Sequence, residues 1–496
     1  MSESLVDVQL ALISHTNNGK TTLTRTLLGV DVGEVRDAAH VTLLSEAHTL
    51  LISPAGDRLQ LWDTPGFGDS VRLLKRLGTS DNPIGWFLRE VLDRFRDRPF
   101  WLGQQALRTA RDAADVVLYL VNASESPQDA GYLQAEMQIL AWLGKPVVVL
   151  LNQVGPPRPA AIEERERAQW RQALASYALV REVLALDAFA RCWVHERVFY
   201  EALGSVLIAA KRTGYARLSA TWSARNAARF TQAMHHSADL LADAASRREI
   251  MEADGRSLAR SALRTIGIGK GIEQRRNDKA MQVLIELLNR RIAETTAALL
   301  ALHQLDPGEA HRINARVREN FTVRAPIDKA HAGLLGAVIS GATTGLTADL
   351  IAGGLTAGIG ALLGGIVGAF TFAGAAWGFN SSTDRLAPSM AFTDPFLRTL
   401  TVSAVLRYLA VIHFGRGRGQ FIEGEAPPFW QEHVEDSVSL HEQALTQIWQ
   451  SLRGAGSAEA RLRLERVFAD ITLHTLRALY PGTPIDMTVP NLHAAG

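Results

Sequence analysis

The chain carries Ser14-His15-Thr16-Asn17-Asn18-Gly19-Lys20-Thr21-Thr22 between an apolar run, Val8–Ile13, and a helical pattern that continues through Leu28. A strand, a tight loop and a helix in this order are the context of a phosphate-binding loop. Backbone N–H groups in such a loop converge on a phosphate, and the helix N-terminus adds positive potential. We therefore expect the whole segment to contact a nucleotide, with Lys20 at the outer phosphates and Thr21 as a ligand of Mg2+.

The usual pattern is GxxxxGK[ST], and Ser14 replaces its first glycine. A second motif supports the interpretation, because the alternating run Leu59–Trp62 ends in Asp63-Thr64-Pro65-Gly66. In P-loop GTPases this DxxG sequence places the aspartate near Mg2+ and the glycine N–H near the terminal phosphate. Asp63 is thus a candidate metal ligand, and Gly66 is a candidate catalytic group. Alone, the same residues would describe a glycine turn after a half-buried strand.

The segment Val35–Thr42 lies where the first switch of a GTPase would fall. Thr42 is either a Mg2+ ligand when a terminal phosphate is bound or a solvated hydroxyl that caps a turn. Phe67 stands where Ras-like GTPases carry the glutamine that orients the attacking water. Hydrolysis therefore needs another water-positioning group, a partner-supplied residue or a bound cation, and we expect slow intrinsic turnover.

The base-recognition motif departs from its usual form. GTPases read guanine with NKxD after a buried strand, and here that place holds Asn152-Gln153-Val154-Gly155. Asn152 matches, whereas Gln153 and Gly155 do not, so the motif does not secure guanine over adenine. Asp187 lies where a last base-contacting loop would be. It is either an acceptor for the base or a helix N-cap.

The composition bounds the class of protein. A chain of 496 residues exceeds what one hydrophobic core usually holds, so two or three domains are expected. The formal net charge is +1 with both signs interspersed, which argues against a nucleic-acid-binding face. A single cysteine, Cys192, excludes internal disulfides and fits a reducing compartment. The first residues lack a basic region, so no signal peptide is expected.

As far as about residue 195, apolar runs alternate with amphipathic stretches of helix length. That alternation predicts an α/β fold, with a parallel sheet covered by helices on both faces. Aromatic residues recur at helical intervals over 70–113, a stretch longer than the usual helix after the second motif. We interpret it as an inserted helical pair packed on the domain, or as a surface for a partner.

Beyond Trp193 the strand alternation stops, and helical patterns such as Leu203–Lys211 follow. We divide this part into a helical domain over 196–330, an apolar hairpin over 331–383 and a C-terminal helical part over 384–496. In 332–383 Asp349 is the only charge, and glycines recur at four-residue steps. Such spacing lets two helices approach closely, as in membrane helix pairs. The alternative is a tightly packed bundle in a soluble protein.

The domain up to about residue 195 resembles the GTPases of the Era and TrmE kind, whose phosphate loop commonly reads GxPNxGK[ST]. Asn17 matches the asparagine of that pattern. In potassium-dependent members it helps to hold K+, so the resemblance implies K+ activation; a loop-stabilising asparagine is the alternative. The whole chain also resembles a bacterial family that joins such a GTPase to a long C-terminal region of unknown function. The residues that carry this second resemblance are Val35-Arg36-Asp37, Asp63-Thr64-Pro65-Gly66, Asn152-Gln153, Leu186–Trp193 and the glycine-rich tract.

Together these patterns predict an α/β P-loop NTPase domain of the Ras-like GTPase type, followed by a mostly α-helical region with a glycine-rich apolar helical hairpin. The expected function is binding of GTP with Mg2+ and its hydrolysis to GDP, coupled to the helical region. The rival functions are an ATP-preferring NTPase and a dynamin-like membrane-remodelling or scaffold protein. Expected partners are GTP and GDP, a membrane touched through 332–383, and a second copy or another protein; nucleic acid is not expected. The expected location is the cytoplasm, in association with the inner face of the cytoplasmic membrane.

Overall fold

The computed structural model describes most of the chain. The described residues are 5–29, 46–67, 69–77, 98–155, 157–188, 192–250, 269–305, 377–380, 389–413, 428–454 and 458–485. Thr42, the segment Val35–Asp37 and all of 332–383 except 377–380 lie outside them. The chain divides into two compact units. The first comprises Met1–Ala228, Ile412–Gly424 and Tyr480–Gly496, and the second comprises Arg229–Val411 and Glu425–Leu479.

A six-stranded sheet forms the centre of the first unit. Its strands are β1 (Asp7–Ser14), β2 (Glu46–Ile52), β3 (Arg58–Asp63), β4 (Val116–Asn122), β5 (Val147–Asn152) and β6 (Val180–Ala185). Their order is β2-β3-β1-β4-β5-β6, and all neighbours are parallel except β2 and β3. The sequence predicted a parallel sheet, and β2 differs because only a short turn links it to β3. Such a turn closes an antiparallel hairpin, whereas a parallel pair needs a long crossover.

Helices cover both faces of this sheet. They are α1 (Lys20–Leu28), α2 (Ser70–Leu77), α3 (Arg98–Asp112), α4 (Leu133–Leu143), α5 (Ala160–Leu174), α6 (Trp193–Val206) and the first half of α7 (Ala209–Ser246). Successive side chains of a strand point to opposite faces. Accordingly Ala11 and Ile13 belong to a core cluster with α2 to α5, while Leu10 and Leu12 belong to another with α1, α6 and α7.

The predicted helix Leu203–Lys211 is interrupted. Helix α6 ends at Val206, where Leu207 takes extended dihedrals of φ −67° and ψ 148°, and α7 begins at Ala209. Leu207 is buried in the same core cluster as Leu203 and Tyr215. The apolar spacing therefore continues through a bend, which periodicity alone does not reveal.

The second unit is mostly helical. Besides residues 229–246 of α7, it contains β7 (Arg248–Ile250), α8 (Gly269–Leu302), β8 (Trp377–Asn380), β9 (Ser389–Phe392), α9 (Asp394–Ile412), α10 (Pro428–Leu440), α11 (Glu442–Arg453) and α12 (Ala458–Leu479). Its three short strands form an antiparallel sheet in the order β7-β9-β8. The sequence did not predict this sheet, because strands of three or four residues are too short to show alternation. Strand β8 also falls inside the tract for which a helical hairpin was expected.

Among the described residues, α9 is the one helix long and apolar enough to cross a membrane. Its mean hydropathy is 1.4, yet 83% of the apolar window is buried within the protein. A core helix of a soluble protein passes the same test of length and composition.

Candidate nucleotide-binding site

The phosphate loop joins the end of β1 to the start of α1. Two of its residues have left-handed backbones, Asn17 with φ 66° and Gly19 with φ 85°. A Cβ added to Gly19 would stand 2.7 Å from Nδ2 of Asn152, so only glycine fits there without a shift. Asparagine tolerates this conformation better than most residues, which accounts for Asn17.

Lys20 is the first residue of α1, and its side chain is buried. Its Nζ donates a hydrogen bond of 2.9 Å to Oγ of Ser14, which itself donates to the carbonyl of His15. Burial lowers the pKa of Lys20 to about 8, while the charges of Asp63 and Glu136 oppose that shift. The serine in place of the first glycine therefore orients the lysine, a role that the motif comparison alone did not suggest.

The two predicted Mg2+ ligands within the described residues meet. Thr21 lies in the first turn of α1, Asp63 ends β3, and Oγ1 of Thr21 donates to Oδ2 of Asp63 at 2.7 Å. Strands β1 and β3 are parallel, so both loops leave the sheet at the same edge. A hydroxyl and a carboxylate are oxygen donors of the kind that Mg2+ prefers. These residues fit the ion.

The DxxG segment lies against the phosphate loop. Both the backbone N–H and Oγ1 of Thr16 donate to the carbonyl of Phe67, at 3.2 and 2.8 Å, and the N–H of Phe67 donates to Ser14 at 3.0 Å. A Cβ on Gly66 would stand 2.9 Å from Nζ of Lys20 and 3.0 Å from Cα of Thr16. Gly66 is thus next to the lysine. The Phe67 side chain is fully buried, so it offers nothing to a water molecule at the surface of the site.

The base-side residues are tied to the phosphate loop. Asn152 is fully buried; its Nδ2 donates to the carbonyl of Asn18 at 2.8 Å, and its Oδ1 accepts from the N–H of Ala188 at 2.8 Å. Oδ2 of Asp187 accepts from the N–H of Val154 at 2.8 Å. Asp187 is therefore not the N-cap of α6, a position that Cys192 holds. Gln153 has φ 58°, and its Nε2 would lie 3.8 Å from a Cβ on Gly19.

His15 contacts a residue that the motifs did not indicate. Its Nδ1 lies 2.8 Å from Oε1 of Glu136 on α4, and its ring stacks on Tyr132 at 4.4 Å between centroids. Nearby, Nδ2 of Asn18 donates to the carbonyl of Leu120 at 3.2 Å, and Thr22 is buried in the first turn of α1. Glu136 has no characteristic spacing from the loop, so no sequence motif could have identified it.

Two family models match the chain, and the boundary between them falls inside the first unit. A family model described as 50S ribosome-binding GTPase matches residues 9–153, and one described as a domain of unknown function, DUF3482, matches residues 171–466. The second match spans more than half of the chain. No curated protein matches.

Several solved structures resemble part of the chain. Two are structures of Era: a variant from Aquifex aeolicus bound to GDP and AlF4−, with 20% identity and a TM-score of 0.27, and a complex with MgGDPNP and a piece of 16S ribosomal RNA, with 21% and 0.28. A variant of SsGBP has 16% identity and a TM-score of 0.23, covering 36% of this chain and 50% of its own. For each Era structure the match covers 37% of this chain and 52% of that one, so the chain spans about half the length of these structures.

The family model over residues 9–153, which contain most of the six-stranded sheet, supports a GTP-binding protein, in agreement with the phosphate loop and the DxxG motif. The chain joins a P-loop domain that matches a GTPase family model to a C-terminal domain of unknown function, and it belongs to the DUF3482 family.

Proposed function

We propose that the protein hydrolyses GTP to GDP and phosphate, and that the nucleotide state is passed to its helical region. The observation that carries hydrolysis is the meeting of Lys20, Gly66 and the Thr21–Asp63 pair at one edge of the sheet. These are the groups that a triphosphate needs: a buried cation, a backbone donor and oxygen ligands for a metal.

In this proposal Lys20 neutralises the outer phosphates, and the N–H of Gly66 donates to the terminal one. Thr21 and Asp63 would hold Mg2+, joined by Thr42, and the ion supplies positive charge to the phosphates when bound. Buried Phe67 leaves the attacking water without a glutamine, so another group must orient it. We propose that a K+ ion held near Asn17 takes the place of that glutamine and supplies positive charge to the reaction, as the resemblance to potassium-dependent GTPases implies.

Base reading is proposed for the loops that follow β5 and β6. Both polar atoms of the Asn152 side chain form hydrogen bonds within the protein, one with Asn18 and one with Ala188. The side chain therefore holds these loops together rather than discriminating between bases. Gly155 offers no carboxylate, whereas Asp187 brings one to the neighbouring loop, where Val154 binds it. We assign to Asp187 the acceptor role for the N–H groups of guanine.

The coupling route begins at the amino ends of the strands, opposite the end that carries the phosphate loop. Asp57, in the turn before β3, is fully buried and accepts two hydrogen bonds of 2.7 Å from Arg217 on α7. A Cβ on Gly214 would lie 2.4 Å from Val6, so α7 packs closely there. Strand β3 runs about 20 Å from this turn to Asp63. A shift at the phosphate edge can therefore reach α7 along the hairpin.

Helix α7 supplies residues 209–228 to the first unit and 229–246 to the second. A movement of its first half is thus connected along one helix with the second unit. Through 332–383 we further propose contact with the inner face of the cytoplasmic membrane, because that tract has Asp349 as its only charge. A second copy or another protein is proposed as a partner, and the location is the cytoplasm.

Calorimetry of GTP and ATP binding in the presence of Mg2+ tests the nucleotide part. We expect selective GTP binding by the wild type, none by Lys20→Ala, and unchanged binding by Lys145→Ala, which removes a lysine before β5 at the far edge of the sheet. Equal or stronger ATP binding would overturn the guanine assignment. Phosphate release with K+ or Na+ then tests hydrolysis and the role of Asn17.

Hydrogen exchange tests the coupling. Residues 209–228 should exchange at different rates with a GTP analogue and with GDP, and Arg217→Gln should abolish the difference while leaving nucleotide affinity unchanged. Arg225→Gln is the matched control, because it makes the same change at an exposed position of the same helix. Identical exchange with both nucleotides in the wild type would exclude α7 as the route.

Flotation with anionic phospholipid vesicles tests the membrane proposal, by comparing the full chain with a variant that lacks 332–383.

A further inference from the structure

Glu136 is a fully buried carboxylate outside every recognised motif. Its Oε1 lies 2.8 Å from Nδ1 of His15 and accepts a hydrogen bond from Oγ of Ser70. Its Oε2 accepts from Oη of Tyr119 at 2.6 Å. Three elements of the first unit thus converge on one side chain of α4.

Two of these partners belong to the segments that meet the phosphates. His15 is in the phosphate loop, and Ser70 is the first residue of α2, four positions after Gly66. The third partner, Tyr119, is a buried residue of β4 and belongs to neither segment. Glu136 therefore connects the phosphate loop to the end of the DxxG segment through a single oxygen atom.

A buried carboxylate is costly for folding. Removing its charge from water is unfavourable, and well-packed apolar residues often serve stability equally well. In a low-dielectric interior, however, hydrogen bonds to a charged acceptor are strong and directional. Burial and the charge of Glu136 raise the pKa of Tyr119 well above its usual value, so that hydroxyl remains a donor. Such an arrangement fixes positions more than it adds stability.

We infer that Glu136 is a positioning residue of the nucleotide site, which holds the start of α2 at a set distance from the phosphate loop and so places Gly66 for the terminal phosphate. This inference rests on the proposed function. It has a specific consequence, because GTP has the terminal phosphate and GDP lacks it. Loss of the connection weakens GTP binding more than GDP binding, whereas a collapsed phosphate loop would weaken both equally.

The experiment measures the affinities of GDP and of a non-hydrolysable GTP analogue by calorimetry with Mg2+. Glu136→Gln keeps the size of the side chain, and Ser70→Ala removes the bond to α2 alone. In both variants we expect the preference for the analogue over GDP to fall about tenfold, the size of one charge-assisted hydrogen bond, while GDP affinity changes less than about threefold.

Tyr119→Phe is the matched control, because it removes a bond to the same carboxylate without touching either segment. It should keep the ratio of the two affinities, even if its melting temperature falls. An unchanged ratio in both Glu136→Gln and Ser70→Ala overturns the inference, and so does an equal change in Tyr119→Phe. If the wild type binds both nucleotides, these results refute the positioning role alone. If it binds neither, the proposed function fails, and the inference fails with it.

Discussion

The two units contain buried charges that differ in their hydrogen-bond partners. In the first, the carboxylates of Asp57 and Glu136 are fully buried, and each contacts hydrogen-bonding groups of three residues. In the second, Arg407 is buried on α9, and neither its Nε nor its Nη2 has a hydrogen-bond partner among the described residues. The two buried carboxylates of the first unit therefore hold loops in place, whereas the buried guanidinium of Arg407 leaves two of its nitrogens without such a contact among the described residues.

The difference has an energetic meaning. Breaking a satisfied buried pair leaves an uncompensated charge and is strongly destabilising, but replacing an unmatched buried charge with an apolar group is often favourable. Replacing Asp57 and replacing Arg407 should consequently change the free energy of unfolding in opposite directions.

Asp57→Asn should lower the free energy of unfolding by about 3 kcal/mol, because it leaves the Arg217 guanidinium without its anion. Urea denaturation at pH 7 measures the loss. Hydrogen bonds from Arg217 hold the pKa of Asp57 well below its usual range. The wild type should therefore have this stabilisation above about pH 5 and lose it as the pH falls through the lower native pKa, while the variant lacks that dependence.

Asp112→Asn is the control for Asp57, since it removes a carboxylate that pairs with Arg111 but is 63% exposed. We expect a change of less than about 0.5 kcal/mol. Equal urea midpoints for Asp57→Asn and Asp112→Asn would show that burial of the pair does not matter, and the contrast between the units would lose its strongest case.

Gly19→Ala should weaken nucleotide binding about 100-fold. The methyl group meets a left-handed backbone and Nδ2 of Asn152 at 2.7 Å, a combination that costs about 2 to 3 kcal/mol. Gly131→Ala is the matched control, because nothing lies within 4 Å of the added Cβ. Calorimetry with GDP distinguishes them, and tight GDP binding by Gly19→Ala would mean that the loop can rearrange.

The phosphate loop and the DxxG segment also show what the sequence could and could not predict. The phosphate loop and Asp63-Thr64-Pro65-Gly66 were recognisable because close backbone approach and metal ligation require particular residues at fixed spacing. The structure confirmed the α/β domain and the mostly helical remainder, and the family models agree with a GTPase domain followed by a domain of unknown function. The antiparallel β2 and the short strands β7 to β9 were missed, because turn length and three-residue strands leave little periodic signal.

The role of Glu136 could not be predicted from spacing. It lies 121 positions from His15 and 66 from Ser70, so only the folded chain brings them together. The same holds for Asp57 and Arg217, which are 160 positions apart. Mg2+ ligation by Thr42 and the hairpin over 331–383 stay predictions.

Arg407→Met tests the second unit. Burial lowers the pKa of Arg407 to about 10, so the guanidinium is still charged at pH 7. Replacing it with an apolar side chain of similar length should raise the free energy of unfolding by about 1 kcal/mol. Arg398→Met, on the same helix but bonded to Ser439 at the surface, should change it by less than about 0.5 kcal/mol. A clear destabilisation by Arg407→Met would reveal an anionic partner beyond the described residues.

His235→Gln should have the smallest effect, at most about 0.5 kcal/mol, because the histidine side chain is 55% exposed and solvent screens its pairing with Glu465. The hydrogen bond to Glu465 raises the pKa of His235 in the folded protein. Its stabilisation is therefore fully present below the unfolded pKa of about 6.5 and is lost as the pH rises through the higher native value. Urea midpoints at pH 6 and pH 8 should differ less in the variant than in the wild type.

His236→Gln is the control, because it removes the neighbouring ring but keeps the pair of His235 and Glu465. It should behave as the wild type does. A change above 1 kcal/mol would mean that the second unit, too, depends on a specific ionic contact.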